Sequence, residues 1–246
     1  MLSVITPSHN TQYLNECYRS LTLQTTQDWE WIVLLNGTPA PTWVAPLEDS
    51  RVHIHESDST LIGALKREAA QEAKGDILVE FDHDDWLMPT ALDLVQKAYE
   101  AYPEASMIWS DYTYMEENGD PSSFSYGEDW EYTSELAYNK RWHKVVGRVT
   151  TPENLARIWW APNHLRAWPI NAYMAVDGHR PLPILDDQDL MQRLFKTGPF
   201  VHIPEMLYIQ RRHAQNTQID TQINANIQTL TVEMGDEWLA SLKLEN

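Results

Sequence analysis

The chain has 246 residues, with 36 Asp and Glu against 18 Lys and Arg, so its formal net charge at pH 7 is −18. This charge argues against nonspecific binding to nucleic acid or to an anionic membrane surface, since Lys and Arg supply that attraction. The hydrophobic content of 43%, with 11 Trp and 11 Tyr, is typical of a globular protein and not of a disordered one.

Cysteine content and the first residues indicate the compartment. Cys17 is the sole cysteine, so no intrachain disulfide can form. The apolar start at residues 1–6 lacks the charged region and the length of a signal peptide, and no apolar run is long enough to span a membrane. We therefore predict a soluble, cytoplasmic protein, in which residues 139–148 form one locally basic segment.

The first half of the chain alternates short apolar runs with helical patterns. The predicted elements are strands at residues 2–6, 31–35, 51–56 and 77–81, and helices around residues 14–21, 62–73 and 92–99. This order predicts an α/β fold with a mainly parallel central sheet and helices on both faces. Ligands of such sheets bind beyond the carboxyl ends of the strands, where the turns TPSHN, LNGT and DHDDW lie.

The second half is less regular. Residues 118–132 have the Gly, Pro and Ser content of a loop, and a helix is predicted after the possible cap Thr151. Residues 186–198 predict a helix that ends at Gly and has three carboxylates, Asp186, Asp187 and Asp189, in its first turn. A terminal helix is predicted around Ile223, Ile227, Leu230 and Met234.

A cluster of carboxylates, Asp82, Asp84 and Asp85 with His83 among them, follows the strand at residues 77–81. Carboxylates this close repel one another and are poorly solvated near apolar surface, so the cluster requires a compensating positive charge. Residues two apart on an extended backbone share a face and lie about 7 Å apart. Their oxygens suit Mg²⁺ or Mn²⁺ on a diphosphate. Taken alone, the motif favours a helix cap or a solvated loop.

The order and spacing of several segments resemble the inverting glycosyltransferases of family 2, which have the GT-A fold. The segments are VITPSHN, WIVLLNGT, residues 62–89, LDDQDLMQRL and YIQRRHAQNT, and the most specific part spans residues 63–86. The resemblance covers residues 2–217. It implies a hexosyltransferase that uses Mn²⁺ or Mg²⁺ to move a sugar from a nucleotide diphosphate sugar, with a UDP-sugar favoured. The acceptor hydroxyl belongs to an unknown glycan, protein or small molecule.

The resemblance also implies a division of the chain. Residues 1–217 form the GT-A domain, with a nucleotide-binding half at 1–115 and an acceptor-binding half at 116–217. Residues 218–246 remain as a C-terminal helical tail, which is a candidate oligomerisation element.

The resemblance implies contacts to the nucleotide from three places. Thr6, Pro7 and Ser8 border the nucleobase. Asn36 stands where the family usually has the Asp that recognises uracil, and its amide can both donate and accept, with a simple tight turn as the alternative. Lys66 or Arg67 faces the nucleotide. The register does not decide between these two, and a solvated helix face is the alternative for both.

The same resemblance implies the metal ligands. Asp82 matches a carboxylate near the ribose and the metal, with His83 beside it, and Asp84 matches the direct ligand. His213 matches a histidine that approaches the metal or the diphosphate from the last loop, and its alternative is an ordinary surface residue. The neighbouring Arg211 and Arg212 are expected to neutralise the leaving diphosphate.

Asp187 matches the catalytic base of the family, and Asp186 matches the Glu that precedes it. An inverting transfer needs a carboxylate to take the acceptor proton as the acceptor oxygen attacks the anomeric carbon. The alternative is that acidic residues simply favour the first turn of a helix. His164 and Arg166 either line the acceptor site or face solvent.

Two other functions fit parts of the sequence. A sugar-phosphate nucleotidyltransferase would need a glycine-rich, Arg-containing loop after the first strand, and TPSHNTQYL has neither feature. A noncatalytic module that binds carbohydrate or nucleotide sugar would use the many Trp residues. It would leave the coincidence of Asp84, Asp187 and His213 unexplained.

Overall fold

The structure is a computed structural model that describes residues 1–39, 48–213 and 221–244. The strands are β1 (Leu2–Ser8), β2 (Trp29–Asn36), β3 (Val52–Ser57), β4 (Ile77–Glu80), β5 (Trp86–Leu87), β6 (Met107–Glu116), β7 (Tyr132–Ala137), β8 (Lys140–Val145), β9 (Arg166–Pro169) and β10 (Phe200–Arg212). The helices are α1 (Leu14–Thr22), α2 (Ile62–Gln71), α3 (Ala91–Ala101), α4 (Pro152–Arg157), α5 (Ile170–Ala175), α6 (Asp186–Phe195) and α7 (Thr221–Leu244).

These strands form one sheet in the order β3-β2-β1-β4-β9-β6-β10-β5, with the β7–β8 hairpin attached to β6. The neighbours β3, β2, β1 and β4 are parallel, and so are β6 and β10. The short strand β9 runs antiparallel to β4 and β6 and joins the two parallel parts. The predicted α/β fold with a mainly parallel sheet is confirmed.

Both faces of the sheet are buried, which explains why its central strands are almost continuously apolar. In β2, Trp31 and Val33 point into a core that α1 and α3 cover. The alternate residues Ile32 and Leu34 point into a second core that α2, α6 and α7 cover. The predicted placement of helices on both faces is therefore confirmed as well.

Several strands of the second half do not follow from the sequence pattern. In β10 the register against β6 shifts between Ile203 and Met206, so the alternation of apolar residues is interrupted. The β7–β8 hairpin turns through Tyr138 and Asn139, both with positive φ, and this turn lacks the glycine that usually marks it. Polar residues of β6 are buried because β6 lies inside the sheet.

The predicted terminal helix is present as α7, in which Leu230 is 41% exposed. The buried side includes Ile227, Thr231, Gly235 and Trp238. This face packs against α4 and α6 of the same chain. The proposed boundary at 217 lies outside the described residues, and the division into halves stays a prediction. No described helix combines the length and apolar character that crossing a membrane requires.

The close approach of α7 to α4 gives a test of this packing. A Cβ atom on Gly235 would lie 2.0 Å from the backbone oxygen of Ala156. We expect Gly235→Ala to lower the free energy of unfolding by about 1–3 kcal/mol in urea denaturation. Helix propensity alone would instead raise it by about 1 kcal/mol. The control Val232→Ala, on the exposed side of α7, should change it by less than about 0.5 kcal/mol. A more stable Gly235→Ala variant would contradict the packing.

Candidate active site

A cavity of about 480 Å³ lies beyond the carboxyl ends of β1, β2 and β4. Open α/β sheets bind their ligands at this edge. The residues predicted from the sequence that line it are Pro7, Ser8, Asn36, Asp82, His83, Asp84 and His213. Segments from both halves of the chain thus meet in one place.

One wall of the cavity brings together the predicted metal ligands. His213 Nε2 lies 2.7 Å from Asp84 Oδ2, and Asp82 lines the same wall. Burial raises the pKa of Asp82; the nearby His164 opposes this, and the charge of Glu80 adds to it. Oxygen donors with one imidazole nitrogen suit Mn²⁺, and to a lesser degree Mg²⁺. The residues present therefore fit a divalent cation on a diphosphate.

Arg211 holds the loop that carries these carboxylates. It is 2% exposed, its Nε donates to the backbone oxygen of Asp84 at 2.8 Å, and its backbone nitrogen donates to Asp85 Oδ1 at 2.7 Å. Its Nη2 lies 2.6 Å from Glu16 Oε2. Through these contacts, the buried Arg211 fixes the loop that carries Asp84 and Asp85. Arg212 instead lies over the ring of Phe124, 4.1 Å from the centroid, and does not line the cavity.

A buried charge network, made of Lys66, Glu80, Arg166, Asp186 and Asp187, lies behind the cavity. Lys66 Nζ is 2.5 Å from Glu80 Oε1, 2.8 Å from Asp186 Oδ2 and 2.5 Å from Asp187 Oδ1. Arg166 Nη1 is 2.6 Å from Asp187 Oδ2 and 3.4 Å from Glu80 Oε2. The two cations allow three carboxylates to be buried together.

The network shifts the proton affinities of its two aspartates in opposite directions. Burial would raise the pKa of Asp187, but Arg166 beside it outweighs burial and holds the pKa well below its usual range. Burial raises the pKa of Asp186 to about 7, opposed by Lys66 and helped by the charge of Asp187. Burial would lower the pKa of Lys66, but Asp186, Asp187 and Glu80 raise it well above its ordinary value.

Local backbone features place the acidic start of α6 over Lys66. Leu185, just before Asp186, has φ 61° and ψ 17°, a left-handed conformation that a leucine rarely adopts. On α2, a Cβ atom at Gly63 would lie 1.9 Å from the backbone oxygen of Arg180. The glycine lets the loop before α6 approach α2 closely, which brings the two aspartates within reach of the lysine.

Two groups of acidic and His side chains near the network have the spacing of metal ligands. One is Glu80, His179 and Asp187, and the other is Glu80, Asp82 and His164. The ammonium of Lys66 already contacts Glu80 and Asp187 in the first group, so that position is occupied by a cation. The second group adjoins the Asp84–His213 wall through Asp82.

The remaining residues predicted from the sequence lie at different depths. Thr6 is buried and accepts a hydrogen bond from Trp31 Nε1 at 2.8 Å, below the cavity. Lys66 points inward to the network, whereas Arg67 pairs with Asp177 at the surface, 2.6 Å away. Asp186 lines the cavity, and Asp187 lies behind it among the cations.

Sequence reasoning missed Glu80 and His179. The signal for Glu80 was present, since a carboxylate inside an otherwise apolar strand needs a buried partner. Burial lowers the pKa of His179 to about 3, together with the charge of Lys66, so this imidazole is neutral beside the network. His164 and Arg166, which were expected either to line a site or to face solvent, are both buried.

The raised pKa of Asp186 predicts a dependence of stability on pH. Between the unfolded value of 3.8 and the folded value of about 7, only the folded state binds this proton. The contribution of Asp186 to stability is therefore lost as the pH rises towards 7. We expect the free energy of unfolding to fall more between pH 5 and pH 8 for the parent than for Asp186→Asn. Equal changes in urea denaturation of the two proteins would contradict the assignment.

Comparisons with known proteins show the family of the chain. The Glycosyl transferase family 2 profile matches residues 3–156, more than half of the chain. The O-antigen biosynthesis protein RfbC of Myxococcus xanthus is 26% identical over 245 residues, which cover 94% of this chain. The chain spans only 18% of the length of that relative, so the activity of the whole relative does not transfer.

Two solved structures share the fold. S. aureus TarS in complex with UDP-GlcNAc has a TM-score of 0.66 at 14% identity and covers 98% of this chain and 70% of its own. The mannosyltransferase PcManGT from Pyrobaculum calidifontis, in complex with GDP-Man and Mn²⁺, has a TM-score of 0.60 at 14% identity, covering 100% of this chain and 75% of its own. At these identities the likeness shows the fold alone, and that fold is GT-A.

Proposed function

The chain belongs to glycosyltransferase family 2 and is a glycosyltransferase, and from this premise we propose that it is a metal-dependent, inverting hexosyltransferase. It moves a sugar from a nucleotide diphosphate sugar, with a UDP-sugar favoured, to a hydroxyl group of an acceptor. The observation that carries the proposal is one cavity with Asp84 and His213 on one wall and the acidic start of α6 on another. Because the chain belongs to this family, we do not propose either alternative function, the sugar-phosphate nucleotidyltransferase or the noncatalytic binding module.

The loops that follow β1 and β2 recognise the donor. Pro7 and Ser8 border the nucleobase, and Asn36 pairs with its edge through an amide that both donates and accepts. Thr6 supports this loop from below through its hydrogen bond with Trp31. The GT-A neighbours hold UDP-GlcNAc in one case and GDP-Man in the other. The family motif favours a UDP-sugar, and Asn36 replaces the usual Asp of that motif with an amide that can still pair with the base.

Asp84, His213 and Asp82 would hold the cation, with His83 beside them. A bound Mn²⁺ or Mg²⁺ supplies positive charge that neutralises the diphosphate as it leaves. Arg212, which was expected to neutralise the diphosphate, stacks on Phe124 instead and has no part in this site. Arg211 keeps the wall in place through the backbone of Asp84 and the carboxylate of Asp85.

The transfer itself is a single displacement. The acceptor oxygen forms a bond to the anomeric carbon on the face opposite the diphosphate, and the bond between that carbon and the diphosphate oxygen breaks. The electron pair leaves with the nucleoside diphosphate. The proton of the acceptor hydroxyl passes to a carboxylate at the start of α6. Lys66 and Arg166 keep this acidic pair in a fixed position and keep Asp187 ionised.

We assign the proton acceptor to Asp187, because it occupies the second position of the acidic pair of the family motif. Asp186 is a second candidate, favoured by two observations. It lines the cavity directly, and its pKa of about 7 lies nearer to the operating range of a general base. The two assignments differ in the pH dependence of turnover. Asp187 predicts a turnover that is constant down to about pH 5, whereas Asp186 predicts a loss of turnover below pH 7.

The metal ligands can be tested by binding alone. We expect Asp84→Ala to abolish the Mn²⁺-dependent part of UDP binding in calorimetry and to leave the fold intact, because it removes one like charge from a crowded acidic wall. His213→Ala should weaken the same binding less, as one ligand among several. The control Asp129→Ala removes an exposed carboxylate elsewhere and should change nothing. Unchanged Mn²⁺-dependent affinity in Asp84→Ala would contradict the assignment.

The base can be tested by turnover. Asp187→Asn keeps the shape of the side chain but cannot accept the proton, so it should lower turnover by about 10²- to 10⁴-fold. Affinity for the donor should barely move. Asp189→Asn is the control, since Asp189 pairs with Arg180 and Arg193 and does not line the cavity. If Asp186→Asn lost turnover and Asp187→Asn kept it, Asp186 would be the base.

A further inference from the structure

The cavity has two unlike halves. The first half contains the loops after β1 and β2 and the wall formed by Asp82, Asp84 and His213, which we call the metal wall. Its side chains are mostly polar. The second half lies around Asp186 and is mostly apolar. The residues that form it are Trp159, Pro183, Ile184, Leu185 and Ile227. In the proposed function the loops after β1 and β2 and the predicted metal ligands account for the donor, so this apolar surface is available to the other substrate.

Helix packing fixes the position of the residues that form the apolar half. Ile227 belongs to α7 and is 4% exposed, and α7 is held against α4 at Gly235, where only a glycine fits below Ala156. Gln188 of α6 donates to the backbone oxygens of Leu155 and Thr231 from the two flanking helices. The three helices thus hold the apolar wall and the acidic pair in one fixed arrangement.

Trp159 stands out within this wall. The next residue, Trp160, stacks on Tyr126 and Trp130, with ring centroids 4.6 and 4.8 Å apart. The half-buried indole of Trp159 stacks on no other ring within the described parts of the chain, and it faces the cavity. A flat aromatic surface beside a reaction site is suited to the apolar C–H face of a sugar ring, while the rim of the ring keeps its hydroxyls for hydrogen bonds.

The charge of the cavity limits which sugar can bind there. Asp82, Asp84, Asp85 and Asp186 contribute to its walls, and none of the described residues that line it is Lys or Arg. Phosphates of the donor would be compensated by a divalent cation held by Asp84, His213 and Asp82, whereas the ammonium that contacts Asp186, that of Lys66, is already shared by three carboxylates. A carboxylate or phosphate on the acceptor would be desolvated there next to acidic groups.

We propose that the apolar half of the cavity binds an uncharged pyranose of the acceptor, stacked on Trp159, with one hydroxyl directed to the acidic pair of α6. The inference rests on the proposed function and names the class of its acceptor. Trp159 determines the affinity for the acceptor and has no part in binding the donor. Because none of the described residues that line the cavity is Lys or Arg, the site is selective against anionic sugars.

The role of Trp159 is tested by steady-state release of nucleotide. The donors are UDP-glucose, UDP-N-acetylglucosamine and GDP-mannose, and the acceptors are the methyl glycosides of glucose, galactose, mannose and N-acetylglucosamine. Trp159→Ala should raise the KM for the acceptor about tenfold, the equivalent of one stacking contact, and leave the KM for the donor unchanged. Trp159→Phe should recover most of this loss, because it restores an aromatic face.

The control is Tyr102→Ala, which removes a half-exposed aromatic ring at the end of α3, away from the cavity. It should leave both KM values unchanged. An acceptor KM that does not change in Trp159→Ala overturns the assignment. Acceptance of none of the methyl glycosides, while the parent still hydrolyses the donor in water, also overturns it.

The selectivity is tested with a matched pair of acceptors. Methyl glucoside and methyl glucuronide differ only in the carboxylate, and we expect the glucuronide to have at least a tenfold lower kcat/KM. Equal values for the two acceptors overturn the charge argument. Failure of the proposed function gives a different result, because the parent protein would then neither bind nor hydrolyse any of the three donors in the presence of Mn²⁺.

Discussion

The ammonium of Lys66 joins parts of the chain that are distant in sequence. It contacts Glu80 at the end of β4 and both aspartates at the start of α6, and Arg166 on β9 completes the contacts. None of these carboxylates could be buried alone, because an isolated charge in an apolar interior is very unfavourable. Removing one partner from such a network typically costs about 3–5 kcal/mol, since it leaves an uncompensated buried charge. The position of α6 relative to the sheet therefore depends on this lysine.

This arrangement has a direct chemical consequence. The loop after β4 carries Asp82 and Asp84, the predicted metal ligands, and the network fixes the acidic pair of α6 relative to the same strand. The strand β4 ends at Glu80 and leads directly into Asp82 and Asp84. The positions of both walls, the one with Asp84 and the one with Asp186, therefore depend on this strand. A displacement reaction requires the leaving group and the proton acceptor to lie on opposite sides of the anomeric carbon. Two walls tied to one strand can hold that geometry without support from a substrate.

The sequence allowed the main architecture and much of the lining of the cavity to be predicted. Strands β1, β2 and β4 are short apolar runs separated by helical patterns, and the polar turns after them lie at one edge of the sheet, so the cavity followed from their order. The orientation of Lys66 and Arg67 could not be predicted, because neighbours on a helix differ by about 100° and both are basic. Lys66 is buried because Glu80, Asp186 and Asp187 are its partners, and Asp187 lies 121 residues away in the sequence. The burial of Arg211 could not be predicted either, because its partners Asp84 and Glu16 are also distant in the sequence. The strand β10 was missed because its register shift interrupts the alternation of apolar residues.

The central claim is that the fixed acidic pair and the metal wall perform an inverting displacement, and the configuration of the product tests it most directly. The donor can be hydrolysed in the absence of an acceptor, and the anomeric proton of the first-formed sugar can be followed by NMR before the anomers equilibrate. From an α-linked nucleotide sugar such as UDP-glucose, the account predicts that the β-anomer appears first. Initial formation of the α-anomer would contradict the account, because a single displacement by water opposite the diphosphate inverts the anomeric carbon and cannot retain its configuration.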